Sequence, residues 1–242
     1  MNYKSSKNRA AITGASSGIG KATALAFAGA GIDVALVSRS REKLQAVVEE
    51  AQALGVEAKA YVVDLAKIEN VRTEIEAIAA DFAPIDILVN NAGMGYTGTL
   101  SETSLADWQQ VLDLNLTSVF QAIVGILPSM RDRGKGTIIN VASIAGKTPF
   151  PGWGAYSVSK AGLIALSKTL AAEERPNGIR VVTFSPGAVN TPIWDTETVS
   201  ADLDRAAMLT PETVAQSILH TALLPDGAAI EDITLMPSGG AF

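Results

Sequence analysis

A chain of 242 residues has room for one large α/β domain or two small ones, and 48% hydrophobic residues supply a sizeable core. A formal charge of -6 and a pI near 4.9 repel polyanions, which argues against nucleic acid and anionic membranes as partners. The absence of cysteine excludes disulfides, thiolate zinc sites and a Cys nucleophile, and His220 as the single histidine leaves too few imidazoles for an ordinary catalytic metal centre, so no metal is expected.

Residues 1–9 are polar and basic, but only Ala10, Ala11 and Ile12 follow before Thr13 and Gly14, too short an apolar stretch for a signal peptide. No run of eighteen apolar residues follows, so the expectation is a cytoplasmic protein without a membrane partner. Short β-branched runs then alternate with longer helical patterns. Strands are expected at 10–12, 34–37, 58–63, 87–89, 137–141, 180–184 and 233–235, and helices at 19–30, 41–54, 68–82, 105–133, 155–174 and 211–224. This alternation predicts an α/β fold of the Rossmann type, a doubly wound parallel sheet of about seven strands with helices on both faces. No linker or repeat interrupts it, so residues 1–242 are read as one domain.

After the first strand comes Gly14-Ala15-Ser16-Ser17-Gly18-Ile19-Gly20, opening a helix. Glycines there permit a tight turn and close approach of the backbone to a pyrophosphate, which the free N–H groups and the positive end of the helix attract. Two other motifs overlap this stretch. Gly20-Lys21 resembles the end of a Walker A loop but lacks its earlier glycine, replaced by Ala15, and its Ser/Thr, replaced by Ala22. Gly14 to Gly18 also fits G-x-S-x-G, the nucleophile elbow of a serine hydrolase, with Ser16 as nucleophile and His220 as base. That is the rival enzyme class.

The second strand ends in Ser38-Arg39-Ser40-Arg41. An NAD site usually carries Asp or Glu here for the ribose 2′-hydroxyl, whereas hydroxyls and guanidinium groups suit a 2′-phosphate, so NADP(H) is the expected cofactor and Arg39 its selector. The helix at 105–133 and that at 155–174 are apolar on more than one face, which predicts a partner besides the sheet and favours a homo-oligomer, a tetramer first.

Further on stand Asn90-Asn91-Ala92-Gly93, Asn115 inside a helix, Ser143 after the fifth strand, Tyr156-x-x-x-Lys160, and Pro186-Gly187 followed by Thr191. In this order, from Ala11 to Gly240, the set resembles the short-chain dehydrogenase/reductase family. The resemblance implies that Gly14, Ser16, Ser17, Gly18, Ile19 and Gly20 surround the pyrophosphate, with Asp64 and Leu65 beside the adenine and Asn91, Ala92 and Gly93 near its ribose. Ser38, Arg39 and Ser40 would hold the 2′-phosphate, and Pro186, Gly187, Val189 and Thr191 would meet the nicotinamide end. Asn115, Ser143, Tyr156 and Lys160 match the family's catalytic tetrad, with Tyr156 and Lys160 also reaching the cofactor.

The chemistry is consistent with that assignment. Tyr156 and Lys160, four apart, share a helix face, and a phenol of reference pKa about 10 is a poor base at neutral pH unless the lysine ammonium, together with an oxidised nicotinamide, favours the phenolate. Ser143 at a strand's carboxyl end can hydrogen-bond a substrate oxygen as charge builds on it, and Asn115 can order a water leading to Lys160. Taken singly, each residue has a structural reading, such as a packing aromatic or a solvated lysine; the ordered set favours the enzyme over a catalytically idle NADP-binding regulator on the same fold. Met94, Tyr96, Ile144, Phe150, Trp153, Val189, Ile193, Trp194 and Met208 give the substrate segments an apolar character suited to an apolar or acyl-bearing carbonyl compound. These segments and the Ser238-Gly239-Gly240 tail are similar to 3-oxoacyl-carrier-protein reductases and related carbonyl reductases. An Arg often found before the Gly-Ile leading into the sixth strand is Asn177 here, so acyl carrier protein stays an unsupported partner despite Arg131, Arg133 and Arg175 nearby.

Overall fold

The computed structural model describes residues 8–201, 203–225 and 227–240; the first seven residues and the last two, part of the basic start and of the tail considered above, lie outside them. Seven parallel strands form one sheet in the order β3-β2-β1-β4-β5-β6-β7. They are β1 (Arg9–Thr13), β2 (Asp33–Ser38), β3 (Ala58–Val62), β4 (Ile87–Asn90), β5 (Gly136–Val141), β6 (Ile179–Pro186) and β7 (Asp232–Leu235). Helices α1 (Gly18–Gly29), α2 (Arg41–Ala53) and α7 (Pro211–Ala222) cover one face, and α3 (Ile68–Asp81), α5 (Ser118–Arg133) and α6 (Gly154–Glu174) the other.

The strands are near-continuous apolar runs because both faces are buried. Period-two alternation divides each run between two cores: Val34 and Leu36 join Phe27, Leu44 and Val214 on one side, while Ala35 and Val37 join Ile75, Phe82 and Ile126 on the other. Wide parallel crossovers place β1 and β4 side by side, with register Ala10↔Ile87 through Ile12↔Val89, so the chain winds outward in both directions from this pair. The loops leaving β1 and β4 diverge there and open a crevice at the carboxyl edge.

One expected helix is three elements. The stretch 105–133 comprises α4 (Leu105–Leu112), a π-helical turn at Asp113–Thr117, and α5. The widened turn centres on Asn115, whose side chain is fully buried and bonded outside its own helix, the kind of polar insertion that accompanies π-bulges. This combined helix is long and apolar enough to cross a membrane by length and composition, but half of its most apolar window is buried within the fold.

α6 is tied down at its far end by a buried carboxylate. Glu174 is fully buried and accepts from the Arg131 guanidinium of α5 through Nε at 2.9 Å and a second, shorter contact, and from Asn177 Nδ2 at 2.9 Å. Hydrogen bonding to Arg131 holds its pKa below the ordinary glutamate value. Because the folded-state pKa is depressed, the stabilisation is complete above the unfolded value of about 4.3 and disappears as pH falls through the folded value. Glu174→Gln is therefore expected to lose on the order of 1–3 kcal/mol at pH 7. In urea melts from pH 7 to pH 3 the gap to wild type should close on the acid side; a gap independent of pH would refute the role of the charge.

Candidate active site

The turn from β1 to α1 forms the floor of the crevice. Gly14 and Gly18 have positive φ of 67° and 52°, left-handed conformations costly for any residue with a β-carbon. Close packing adds to this: a β-carbon on Gly14 would sit 2.9 Å from Ala92 Cα, and one on Gly20 would overlap the Gly14 carbonyl oxygen. Gly14, Ser16, Ser17, Gly18 and Ile19 line the cavity, while Gly20 serves the turn by letting α1 pack against it. Ser17 stands at the N-cap position of α1 without a side-chain capping bond, and the first N–H groups have no partners within the helix.

The hydrolase reading fails on geometry. Ser16 Oγ accepts from Ser38 Oγ at 2.8 Å, whereas His220 is an exposed residue in the last turn of α7 and is no part of the cavity lining. A serine nucleophile needs its base within hydrogen-bond reach.

At the end of β2, Ser38, Arg39 and Ser40 line one end of the cavity together with Lys43. Lys43, in the first turn of α2, was missed in the sequence because its placement depends on how α2 starts; two cations rather than one flank this end. Leu65 lines the cavity, but Asp64 does not: its Oδ1 accepts from the backbone N–H of Ala66 at 3.2 Å and shapes the turn after β3. Asn91, Ala92 and Gly93 line the middle. The Asn91 amide group is already engaged, donating to the carbonyls of Thr13 at 3.0 Å and Gly14 at 3.4 Å, so it builds the wall as well as lining it.

Tyr156, Lys160 and Ser143 meet at the centre. Lys160 is 4% exposed, donates from Nζ to the Val141 carbonyl at 2.9 Å, and has its pKa brought down by burial to about 8. Its Nζ lies 5.8 Å from the centre of the Tyr156 ring. Burial raises the Tyr156 pKa, and the opposing influence is a hydrogen bond with the Ser143 side chain. A hydroxyl partly withdrawn from water has a less well solvated phenolate, which favours the neutral form. Ser143 Oγ also accepts from Ala145 N at 3.1 Å, which fixes its rotamer.

Asn115 lies behind this cluster and off the cavity lining. Its Oδ1 accepts from Met94 N at 2.8 Å, and its Nδ2 donates to Met94 O at 2.9 Å and to Ser159 Oγ at 3.1 Å. Ser159 Oγ in turn donates to the Tyr156 carbonyl at 2.7 Å. Both amide hydrogens are committed, so the side chain clamps the loop after β4 to the helix that carries Tyr156. Ser159 is a functional neighbour that the sequence reading overlooked; its position inside Tyr-x-x-x-Lys, one residue before Lys160, was the available signal.

The loop after β6 closes the far end, where Pro186, Gly187, Val189 and Thr191 line the cavity. It is pinned by Arg205, which donates to Asn190 Oδ1 at 2.8 Å and to the Thr191 carbonyl at 3.0 Å, and by a bridge between Val189 and Leu209. Met94, Phe150, Trp153, Ile193 and Trp194 complete the lining at this end. Tyr96 and Met208 lie outside the cavity lining.

A glycine-rich turn at the switch point of a parallel sheet, sharing one cavity with a Ser, Tyr and Lys cluster, defines an oxidoreductase acting between CH–OH and C=O. Comparison with known proteins agrees. Residues 8–201 match the short chain dehydrogenase family. The 3-oxoacyl-[acyl-carrier-protein] reductase of Synechocystis sp. is 39% identical over 96% of this chain and 95% of its own length. A glycine betaine reductase of Emericella nidulans is 33% identical over 94% of this chain, which spans only 18% of that longer protein. Among solved structures, an alcohol dehydrogenase from the archaeon Thermococcus sibiricus, complexed with 5-hydroxy-NADP, superposes with a TM-score of 0.88 at 29% identity, covering 96% of this chain and 97% of that one. The chain belongs to the short-chain dehydrogenase family.

The close packing of the glycine turn is directly testable. Gly20→Ala puts a methyl group into the Gly14 carbonyl oxygen, so the turn must open or α1 must shift. A loss of about 1–3 kcal/mol in unfolding free energy is expected; a variant as stable as wild type would show that the turn is looser than its geometry implies.

Proposed function

We propose that this protein is an NADP(H)-dependent reductase that interconverts a ketone and a secondary alcohol, with Tyr156 as general acid and base. A single observation carries the reading: one cavity of about 540 Å³ runs from Arg39 and Lys43 past the glycine turn to Ser143 and Tyr156. The residues fit a phosphorylated dinucleotide. Glycines without β-carbons and the start of α1 suit a pyrophosphate, and Ser38, Arg39, Ser40 and Lys43 suit a 2′-phosphate where, among the described residues, no carboxylate lines that end. The related alcohol dehydrogenase complexed with 5-hydroxy-NADP supports this choice. Bound there, the nicotinamide supplies the hydride.

The protein's own residues handle the proton. A phenol kept protonated by burial is suited to donate to the oxygen of a ketone as that oxygen gains charge, and Ser143 is placed to hydrogen-bond the same oxygen. Lys160, with its pKa near 8, holds a proton at neutral pH and can pass it on at little cost. Asn115 and Ser159 act as positioning residues through the Tyr156 helix and the Met94 loop. The intact cluster argues against an idle regulator. Large apolar residues exposed on α4, α5 and α6, namely Leu105, Phe120 and Val158, support a homo-oligomer, a tetramer by preference, whose subunits bury these helices against one another.

Arg39→Ala should weaken NADPH by about 10–100-fold in kcat/KM while leaving NADH nearly unchanged, because only the former loses a charge-assisted bond of ~1.5–3 kcal/mol. An unaltered cofactor ratio would remove Arg39 from the site. Tyr156→Phe keeps the ring and its packing but deletes the donor, so ketone reduction should fall by about 10²–10⁴ while NADPH still binds by fluorescence. Near-normal turnover would refute the proton-transfer role.

A further inference from the structure

Resting on that reading, we propose that the substrate is an uncharged ketone bearing a flat aryl group, selected by Trp153 and Trp194. Two indoles and the reacting phenol form a continuous aromatic wall. Trp153 meets Tyr156 edge to face with ring centres 5.5 Å apart at 67°, and Trp194 meets Trp153 at 5.7 Å and 72°. All three line the same cavity. Edge-to-face pairs leave ring faces and edges available to a further aromatic ring, which gains more than its area of contact alone. A substrate carbonyl within reach of the Tyr156 hydroxyl therefore places its substituent against indole.

The wall is held in place rather than left to adapt. Trp194 Nε1 donates to the Val189 carbonyl at 2.8 Å, tying the indole to the loop after β6. The Trp153 backbone bridges to Gly98, and Gly98 N donates to the Gly152 carbonyl at 2.7 Å. The segment carrying Trp194 is fastened to the loop after β4 by Thr97 N to Thr198 O at 2.9 Å, Thr198 Oγ1 to Gly95 O at 2.8 Å and Ser200 N to Thr97 Oγ1 at 2.8 Å. Preorganised rings favour a rigid, flat ligand over a flexible chain that must be ordered on binding.

Charge narrows the class further. Among the described residues, the cations lining the cavity are Arg39 and Lys43, at the β2 end, and Lys160, which is buried and bonded to Val141, and no Asp or Glu is in the lining. A carboxylate or phosphate beside the indoles would be desolvated without a counter-charge, which disfavours 2-oxo acids. The wall is likewise poorly matched to a flexible linear acyl chain.

The test compares kcat/KM with NADPH for acetophenone, cyclohexyl methyl ketone, benzoylformate and a straight-chain 3-oxoacyl thioester. Acetophenone should exceed its saturated analogue by about fivefold or more, and exceed benzoylformate by about 100-fold. In Trp153→Leu and Trp194→Leu, each checked for a native melting temperature and NADPH binding, the ratio of acetophenone to cyclohexyl methyl ketone should fall toward one. Equal rates of the wild type on that pair, preference for the thioester, or an unchanged ratio in a folded variant would overturn the assignment of the tryptophans. The wild-type comparison decides the matter even if both variants fail to fold. Failure to reduce any of the four compounds would instead overturn the reductase reading on which this one rests.

Discussion

The cavity depends on a stitch between two loops that leave the sheet in opposite directions. Thr13 Oγ1, at the end of β1, accepts from the backbone N–H groups of Asn91 and Ala92 at 3.0 Å each, and Asn91 returns bonds from its side chain to the carbonyls of Thr13 and Gly14. At a switch point the loops would otherwise diverge and leave these groups unsatisfied, at a cost of several kcal/mol in a dry interior. The exchange holds the glycine turn against the β4 loop, and the absence of β-carbons at Gly14 and Gly20 lets them come that close.

Behind the stitch, polar side chains form a second layer of support that the apolar pattern hides. Asn90 donates to Asn140 at 2.8 Å, and Asn140 to Ser167 on α6 at 2.9 Å, so β4, β5 and α6 are joined through the core. Asn115 does the same between the Met94 loop and Ser159, with the π-helical turn as the backbone adjustment that admits it. Buried amides left unpaired would be strongly destabilising, so these links set one relative position of helix and sheet more sharply than Val and Leu packing could. That position brings Tyr156 and Ser143 into contact and draws Lys160 out of water, with the opposite pKa shifts that follow: phenol upward, ammonium downward.

The outer rim is built differently, from loops tied to loops. Arg205 secures the segment after β6, threonines and Ser200 fasten it to the loop after β4, and Trp153 joins it to α6. The segment after β6 holds only short 3-10 helices, at Pro192–Asp195 and Arg205–Ala207, yet its backbone groups are paired across long separations in sequence. Shape at the substrate end thus depends on tertiary contacts, while shape at the dinucleotide end depends on the local β1–α1 turn.

What the sequence by itself determined follows from local rules. Alternating β-branched runs and helical periods dictated a doubly wound parallel sheet, and the spacing of Gly14, Gly18 and Gly20, of Tyr156 and Lys160, and of Ser38 and Arg39 located both ends of the cavity, because turn geometry and helix periodicity act within a few residues. Tertiary structure decided the rest. Whether Ser16 faces His220 or Ser38, and that Asn115 clamps two elements through a π turn, depend on partners more than 20 residues away in sequence. The direction of the Tyr156 pKa shift belongs with these. A spacing of four puts Lys160 on the same helix face, but how much water each group loses is decided only when α6 packs against the sheet, and desolvation then favours the neutral form of both.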